Sequence, residues 1–311
     1  MPKTIRLTQI GFKIETTEGT AESLANADAN MLVVDPDVDF GGIEMNERNP
    51  VSASMSHYPD VTGKQSGTIT FAIEVRGSGT AATAPSWGKA LRCCGAGETV
   101  TTVVDYAPVS ALTSIPSATI GFYRDGVRFL FAGCRGTATL SLDTGGIAML
   151  NFSFQGKLVS HTDTALLAPT YETTIPPAFL SAALTIHALA MKIKTFDLDL
   201  AAAVAARTDP TESTGIISFL VTGRRPTLKI DPELETIAAH DFLTKLKANT
   251  TGAVTLTLGT TAGNKIVITA PAFQYGKIDL ADRESIAIHT IEGGLQRSAA
   301  AGDDEWKISH Q

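Results

Sequence analysis

The residues of this chain that could do chemistry are six histidines, three cysteines and one short run of alternating aspartates. The run is "DPDVD", residues 35–39. Oxygen-rich runs of that kind suit calcium. Here Pro36 and the alternation of Val38 and Phe40 predict a strand instead, and the stretch lacks the length and closing Glu of an EF-hand loop. Cys93, Cys94 and Cys134 are an odd count with one adjacent pair, which is no disulfide framework. Neither a Cys-x-x-Cys nor a Cys/His spacing that suits zinc is present, so reduced, partly buried thiols are expected. His57, His161, His187, His240, His289 and His310 are scattered without ligand spacing and are expected at the surface or an interface. Nucleophile-elbow, His-Glu-x-x-His and Walker patterns are all missing. The nearest Walker candidate, "GKQSG" at 63–67, has the wrong spacing, and its glycines predict a turn. No catalytic, cofactor-binding or metal-ligating set is predicted, and an enzyme is the least favoured class.

What remains is the framework, and it repeats. "VTGK" at 61–64 returns as "VTGR" at 221–224, an offset of 160. At the same offset "DVDFGG" (37–42) falls on "DLDLAA" (197–202), so Asp37 and Asp39 match Asp197 and Asp199. Alternating acidic and apolar positions predict a half-buried strand. Each half then carries one short amphipathic helix. Trp87, Ala90, Leu91 and Cys94 share a face in the first; Ala239, Phe242, Leu243 and Leu246 share one in the second. The core faces are assigned to Trp87 and Leu91, and to Phe242 and Leu246. Pro85 and Ser86 suit the start of the first helix and Gly95 its end. Strand-rich runs close both halves, 117–158 and 252–295, each with a Gly-containing hairpin turn. The expected organisation is a first β domain over 1–160 with an N-terminal arm, a Thr/Pro-rich linker over 161–180, and a second β domain over 181–311.

Composition agrees with a β protein. Hydrophobic residues are 43% of 311, enough for a core in each half, while charged residues are only 18%. The net charge of −7 argues against a protein that grips nucleic acid, and is compatible with one that DNA slides past. The first residues have no apolar core of signal-peptide length, and the longest apolar stretch is interrupted by Pro176, Pro177, His187 and Lys192. A soluble protein made in a cytoplasm, without membrane contact, is expected.

Three stretches together resemble the major tail tube proteins of long-tailed, siphovirus-like bacteriophages. They are "IETTEGTAESLANADANMLV" near the N-terminus, "IEVRGSGTAATAPSWGKALRCCG" (73–95) with "SATIGFYRDGVRFLFAGCRGTATLSL" (117–142), and "TLTLGTTAGNKIVITAP" (255–271). The resemblance implies two tandem tail-tube-type β-sandwich or barrel domains, each with a flanking helix. It implies a structural protein of the virion tail, made in the bacterial host cytoplasm, whose rings stack into a hollow tube for DNA ejection. A duplicated chain would then build a ring of pseudo-sixfold symmetry from three copies. Implied partners are the chain itself, a tape measure protein in the lumen, tail tip and tail terminator proteins, and DNA passing non-specifically. No cofactor is implied.

Within that frame Asp37, Asp39, Asp197 and Asp199 face either solvent or lumen, or else an outer surface. Segment 1–30 and the polar loops 41–60 and 201–215 are candidates for reaching the next ring. Lys64, Arg224 and Arg225 are candidates for pairing with acidic groups across rings. Two other readings stay open: a tube initiator or terminator that forms a single ring, and a β-rich capsid decoration protein or adhesin. Aromatic residues are only 6%, which weakens a binding module.

Overall fold

The computed structural model describes residues 2–311. Met1, the first residue of the expected arm, lies outside the described residues. The chain is mainly β, as the alternation predicts. The first half contains β1 (Thr8–Ile14), β2 (Val33–Asp39), β3 (Ile43–Asn46), β4 (Val61–Glu74), α1 (Gly88–Arg92), β5 (Ala96–Val100), β6 (Val104–Pro108), β7 (Ala118–Arg124), β8 (Val127–Asp143) and β9 (Met149–Asp163). The second contains β10 (Ala183–Ile186), β11 (Thr195–Asp199), β12 (Ala202–Thr208), β13 (Ile216–Arg224), β14 (Thr227–Ile230), α2 (Phe242–Lys247), β15 (Thr251–Leu258), β16 (Ile266–Arg283), β17 (Ile286–Leu295) and β18 (Lys307–His310).

The order of strand pairing recurs. In the first half it runs β2, β4, β9, β8, β7, β1; in the second it runs β11, β14, β17, β16, β15, β10. Register recurs as well. Asp37 and Asp39 pair with Thr70 and Thr68, and Asp197 and Asp199 pair with Lys229 and Thr227. Phe71 pairs with Phe152, and at the matching position Ile230 pairs with Ile291. The two series join into one sheet where β11 lies antiparallel to β8. They join again at the chain's end, where β18 pairs both with β16 and with β6 of the first half.

The buried face follows from period-2 alternation. Ile69, Phe71 and Ile73 of β4 point one way with Phe152 and Phe154 of β9, and all five are buried. Phe12 of β1 meets Phe154 edge-on at 5.4 Å, so β1 closes over the same core. Trp87 and Leu91 are fully buried under α1, and the Trp87 Nε1 donates to the Arg76 carbonyl at 2.8 Å. Gly95 takes φ +93°, a backbone that favours glycine, and turns the chain from α1 into β5.

The second helix differs from its expectation. It starts at Phe242, capped by Asp241, whose side chain accepts from the Thr244 amide. Ala239 lies outside it and is exposed, and Leu243 is exposed too. Phe242 is buried and Leu246 half-buried. With its first turn lost, the helix presents a narrower apolar stripe. The first part of the loop expected over 201–215 is strand: β12 pairs with β13 in a separate two-stranded sheet, and only 209–215 turns between them. The small residues of "AAAVAART" gave no apolar alternation to reveal it. Residues 164–177 contain no strand and run along the first half, where Leu167 bonds Gln9 and Glu172 bonds Ser86.

Candidate functional site

The face of the sheet opposite the core is polar, and it crosses both halves. Cross-strand partners share a face. Asp37, Thr70, Ser153 and Thr137 form one row across β2, β4, β9 and β8. Asn151, Thr139 and Asp199 continue it across the seam, and Asp197, Lys229, Glu292 and Lys277 carry it to β16. The four aspartates singled out in the sequence thus lie on one surface. Asp37 and Asp39 are exposed at its end, and Asp197 and Asp199 are half-buried beside Ser141 and Thr139. Lys229 bridges Glu292 at 3.5 Å, and Lys277 bridges Asp279 at 2.5 Å. None of the four aspartates forms a salt bridge among the described residues, although Lys229 stands opposite Asp197.

Two hairpin arms leave the sheet. The first is β3 with the start of β4, closed by 47–60, an exposed stretch without regular structure. The second is β12 with β13, and it docks on the first half. There Gly133 takes φ +63°, and a Cβ on it would lie 2.7 Å from the Ser218 Cα. The Arg135 guanidinium donates to the Phe219 and Ile115 carbonyls and bridges Glu18 at 3.2 Å. Glu18 also accepts from the Ser218 hydroxyl at 2.5 Å. Burial works against the Glu18 charge, but the Ser218 hydroxyl and the Arg135 guanidinium outweigh it and hold its pKa below the ordinary value.

The basic residues singled out in the sequence do not act alike. Arg224 is engaged inside its own chain, bridging Asp303 at 2.5 Å and Glu305 at 3.1 Å and donating to the Val109 carbonyl. Two carboxylates and a carbonyl of its own chain already engage the guanidinium. Residues 303–306 are accordingly a docked segment, with Trp306 buried. Lys64 bridges Glu44 across the first arm at 2.9 Å. Arg225 is exposed.

His57 and His161 are exposed, as expected, whereas the other four histidines are buried or half-buried. His187 stacks on Tyr275 at 4.6 Å, His240 bonds the Tyr275 hydroxyl at 3.0 Å, and His289 lies 4.8 Å from the Phe242 ring. Burial, with Lys245 and His187 nearby, pushes His240 down to about 4. His310 is fully buried. These residues are far apart in sequence, and only the fold of the second half assembles them. Among the described residues no group of three or more His, Cys, Asp or Glu side chains is placed to hold a metal. The three thiols are buried, and burial raises the pKa of each.

No helix of the described residues is long and apolar enough to cross a membrane. A family model described as phage tail tube protein matches residues 6–297. No curated protein matches the chain.

Proposed function

The chain belongs to the phage tail tube protein family, and on that premise we propose that it builds the hollow tail tube as stacked rings through which DNA is ejected. The family is a structural one. Each chain supplies two tube domains, 1–160 and 181–311, joined by 161–180. Three chains then close a ring of pseudo-sixfold symmetry. The observation that carries this reading is the recurrence of one strand-pairing order in both halves, fused at β8 and β11 into one sheet.

The polar face suits the lumen. A wall of aspartates, threonines and serines repels a phosphate backbone and offers it no cluster of Lys and Arg. The core stays on the opposite side of each strand, so the wall can be polar at no cost to stability. Arms that leave the sheet, and the exposed 47–60 stretch above all, reach the next ring. The tape measure protein would occupy the lumen during assembly, with tail tip and terminator proteins at the two ends. The chain would be made in the host cytoplasm and end in the virion.

Electron microscopy of the purified protein, alone and with tail tips as nucleus, tests the reading. Hollow tubes are expected. Single rings that never stack would favour an initiator or terminator, and compact particles without a channel would favour a decoration protein.

A further inference from the structure

The two halves repeat one strand order, and they differ in two places. Between its helix and the next strand of the repeat, the first half carries an extra hairpin, β5–β6; the second half passes directly from α2 to β15. The other difference is in the last ladder. β9 runs as one strand along β8, as far as Asp163 opposite Val127. Its counterpart β17 breaks off. The Gln296 amide still donates to the Ala272 carbonyl, but the ladder resumes only at β18, with Lys307 opposite Thr269. Since β15 takes the other side of β16, β18 lies in line with β17. The chain thus spends 296–306 on a detour while its partner strand moves only from Ala272 to Thr269.

The two extra pieces meet. β18 has a ladder on each side, to β16 of its own half and to β6 of the first half. Ile308 lies opposite Tyr106, Ser309 opposite Asp105 and His310 opposite Val104. The Ser309 hydroxyl donates to Asp105, and Lys307 bridges the same carboxylate at 3.5 Å. Just past the hairpin, the Ser110 amide donates to the Asp303 carboxylate of the detour at 3.0 Å. Asp303 and Glu305 also hold Arg224 of β13, which donates to the Val109 carbonyl. Trp306, Ile308 and His310 are all buried. The hairpin is anchored in its own half, with Tyr106 fully buried and its ring 5.2 Å from that of Trp87. A strand paired on both sides ties the halves by backbone hydrogen bonds, which two domains on a plain linker lack.

We propose that the β5–β6 hairpin and the 296–306 detour with β18 are matched parts of a lock, which fixes the second half on the first and sets the joint within a chain apart from the joint between chains. Neither part has a mate at the other joint. A second half that meets the first half of a following copy brings no hairpin, and that first half brings an uninterrupted β9. Around a ring the places stay equivalent while the joints alternate, locked within chains and unlocked between them. The whole chain is then the unit that adds and leaves. That consequence rests on the tube reading; the lock itself does not.

Opening the linker of the folded, full-length chain tests the lock. A protease site inserted after Thr170, in an exposed part of 164–177, lets the connection be cut after folding. The nicked chain is expected to run as one particle on size exclusion. Removing 298–311 should weaken the association of the nicked halves at least about a hundredfold, read as dissociation on dilution. Asp105→Lys leaves the second half untouched and sets a lysine beside Lys307. It should weaken the association at least about tenfold with unchanged β circular dichroism, and adding Lys307→Asp should restore it. Folded Asp105→Lys halves that hold as tightly as the wild type, or wild-type halves that part as readily as those lacking 298–311, would overturn the lock. Neither readout needs a tube, so either result leaves the tube reading standing, to be decided by microscopy of the intact chain.

Discussion

Leu198 lies directly opposite Leu140 across the seam at which the two halves join, and both side chains are buried. The pair shows how one half recognises the other: a strand edge carrying alternate apolar residues adds to a neighbouring edge, and the core continues through the join. Truncating either leucine to alanine is expected to cost about 2–5 kcal/mol, the range for a buried Leu→Ala change. Because the side chains touch one apolar seam, the double variant should cost less than the sum. Denaturant unfolding of the four proteins checks both statements.

Gly133→Ala should dislodge the second arm. The glycine has a left-handed backbone, and a Cβ there meets the Ser218 backbone at 2.7 Å with no flexible atom to yield. The expected loss is about 2–4 kcal/mol, with faster proteolysis within 202–224. Gly145→Ala is the control. Its φ is +84° but nothing lies within 4 Å of the added carbon, so only the backbone term of about 1 kcal/mol applies.

Acid should loosen the chain in two stages. His240 titrates at about 4 when folded against an ordinary 6.5, so its neutral form favours folding above pH 6.5 and that contribution fades as pH falls from 6.5 towards 4. Burial of His187 and His289 acts in the same direction. Glu18 and Asp303 are held below their ordinary values of 4.5 and 3.8. Burial opposes each shift, but Ser218 with Arg135, and Ser110 with Arg224, prevail. Their contribution is present above those ordinary values and is lost as pH falls through the lowered ones. Hydrogen exchange should show the region under α2 opening first, and the docked arm and the 303–306 segment only at lower pH.

Arg224 and Arg225 should separate cleanly. Arg224→Glu sets a third carboxylate beside Asp303 and Glu305 and should cost about 1–3 kcal/mol of stability. Arg225→Glu alters an exposed charge and should leave the melting temperature unchanged. A drop in tube length for Arg225→Glu would assign it to ring stacking.

Reversing the wall should make the tube sticky. With Asp37, Asp39, Asp197 and Asp199 all changed to Asn, and then to Lys, the fold should survive, since these side chains lie off the core face. Only the Lys variant is expected to retain DNA, with an affinity that falls steeply as salt rises.

Much of this architecture was legible in the sequence because it lies in local alternation. Asp37 and Asp39 with Val38, and Asp197 and Asp199 with Leu198, announce a strand with one polar face, and register then keeps them in matching places. The "VTGK" and "VTGR" echo is less faithful. Asp39 and Asp199 are 160 apart, while their partners Thr68 and Thr227 are 159 apart. Closer to the arms, the Gly42 carbonyl accepts from the Ser66 amide, whereas Ala202 pairs with Arg224, so the two words sit out of step along their arms. A lost residue changes spacing without erasing composition. The histidine cluster and the capture of Arg224 by Asp303 and Glu305 could not be read at all. They join residues tens of positions apart through tertiary packing, and no periodicity records that. β18 escaped for the same reason, because a four-residue strand has too little pattern to count.

One duplicated chain should fill two places in a closed ring. Electron microscopy of assembled tubes, with rotational averaging of end-on views and the mass of a single ring measured alongside, tests it most directly. Sixfold rotational power is expected from a ring whose mass equals three chains of 32.7 kDa. A ring of six chains, or a tube whose two halves occupy unlike environments around the channel, would contradict it.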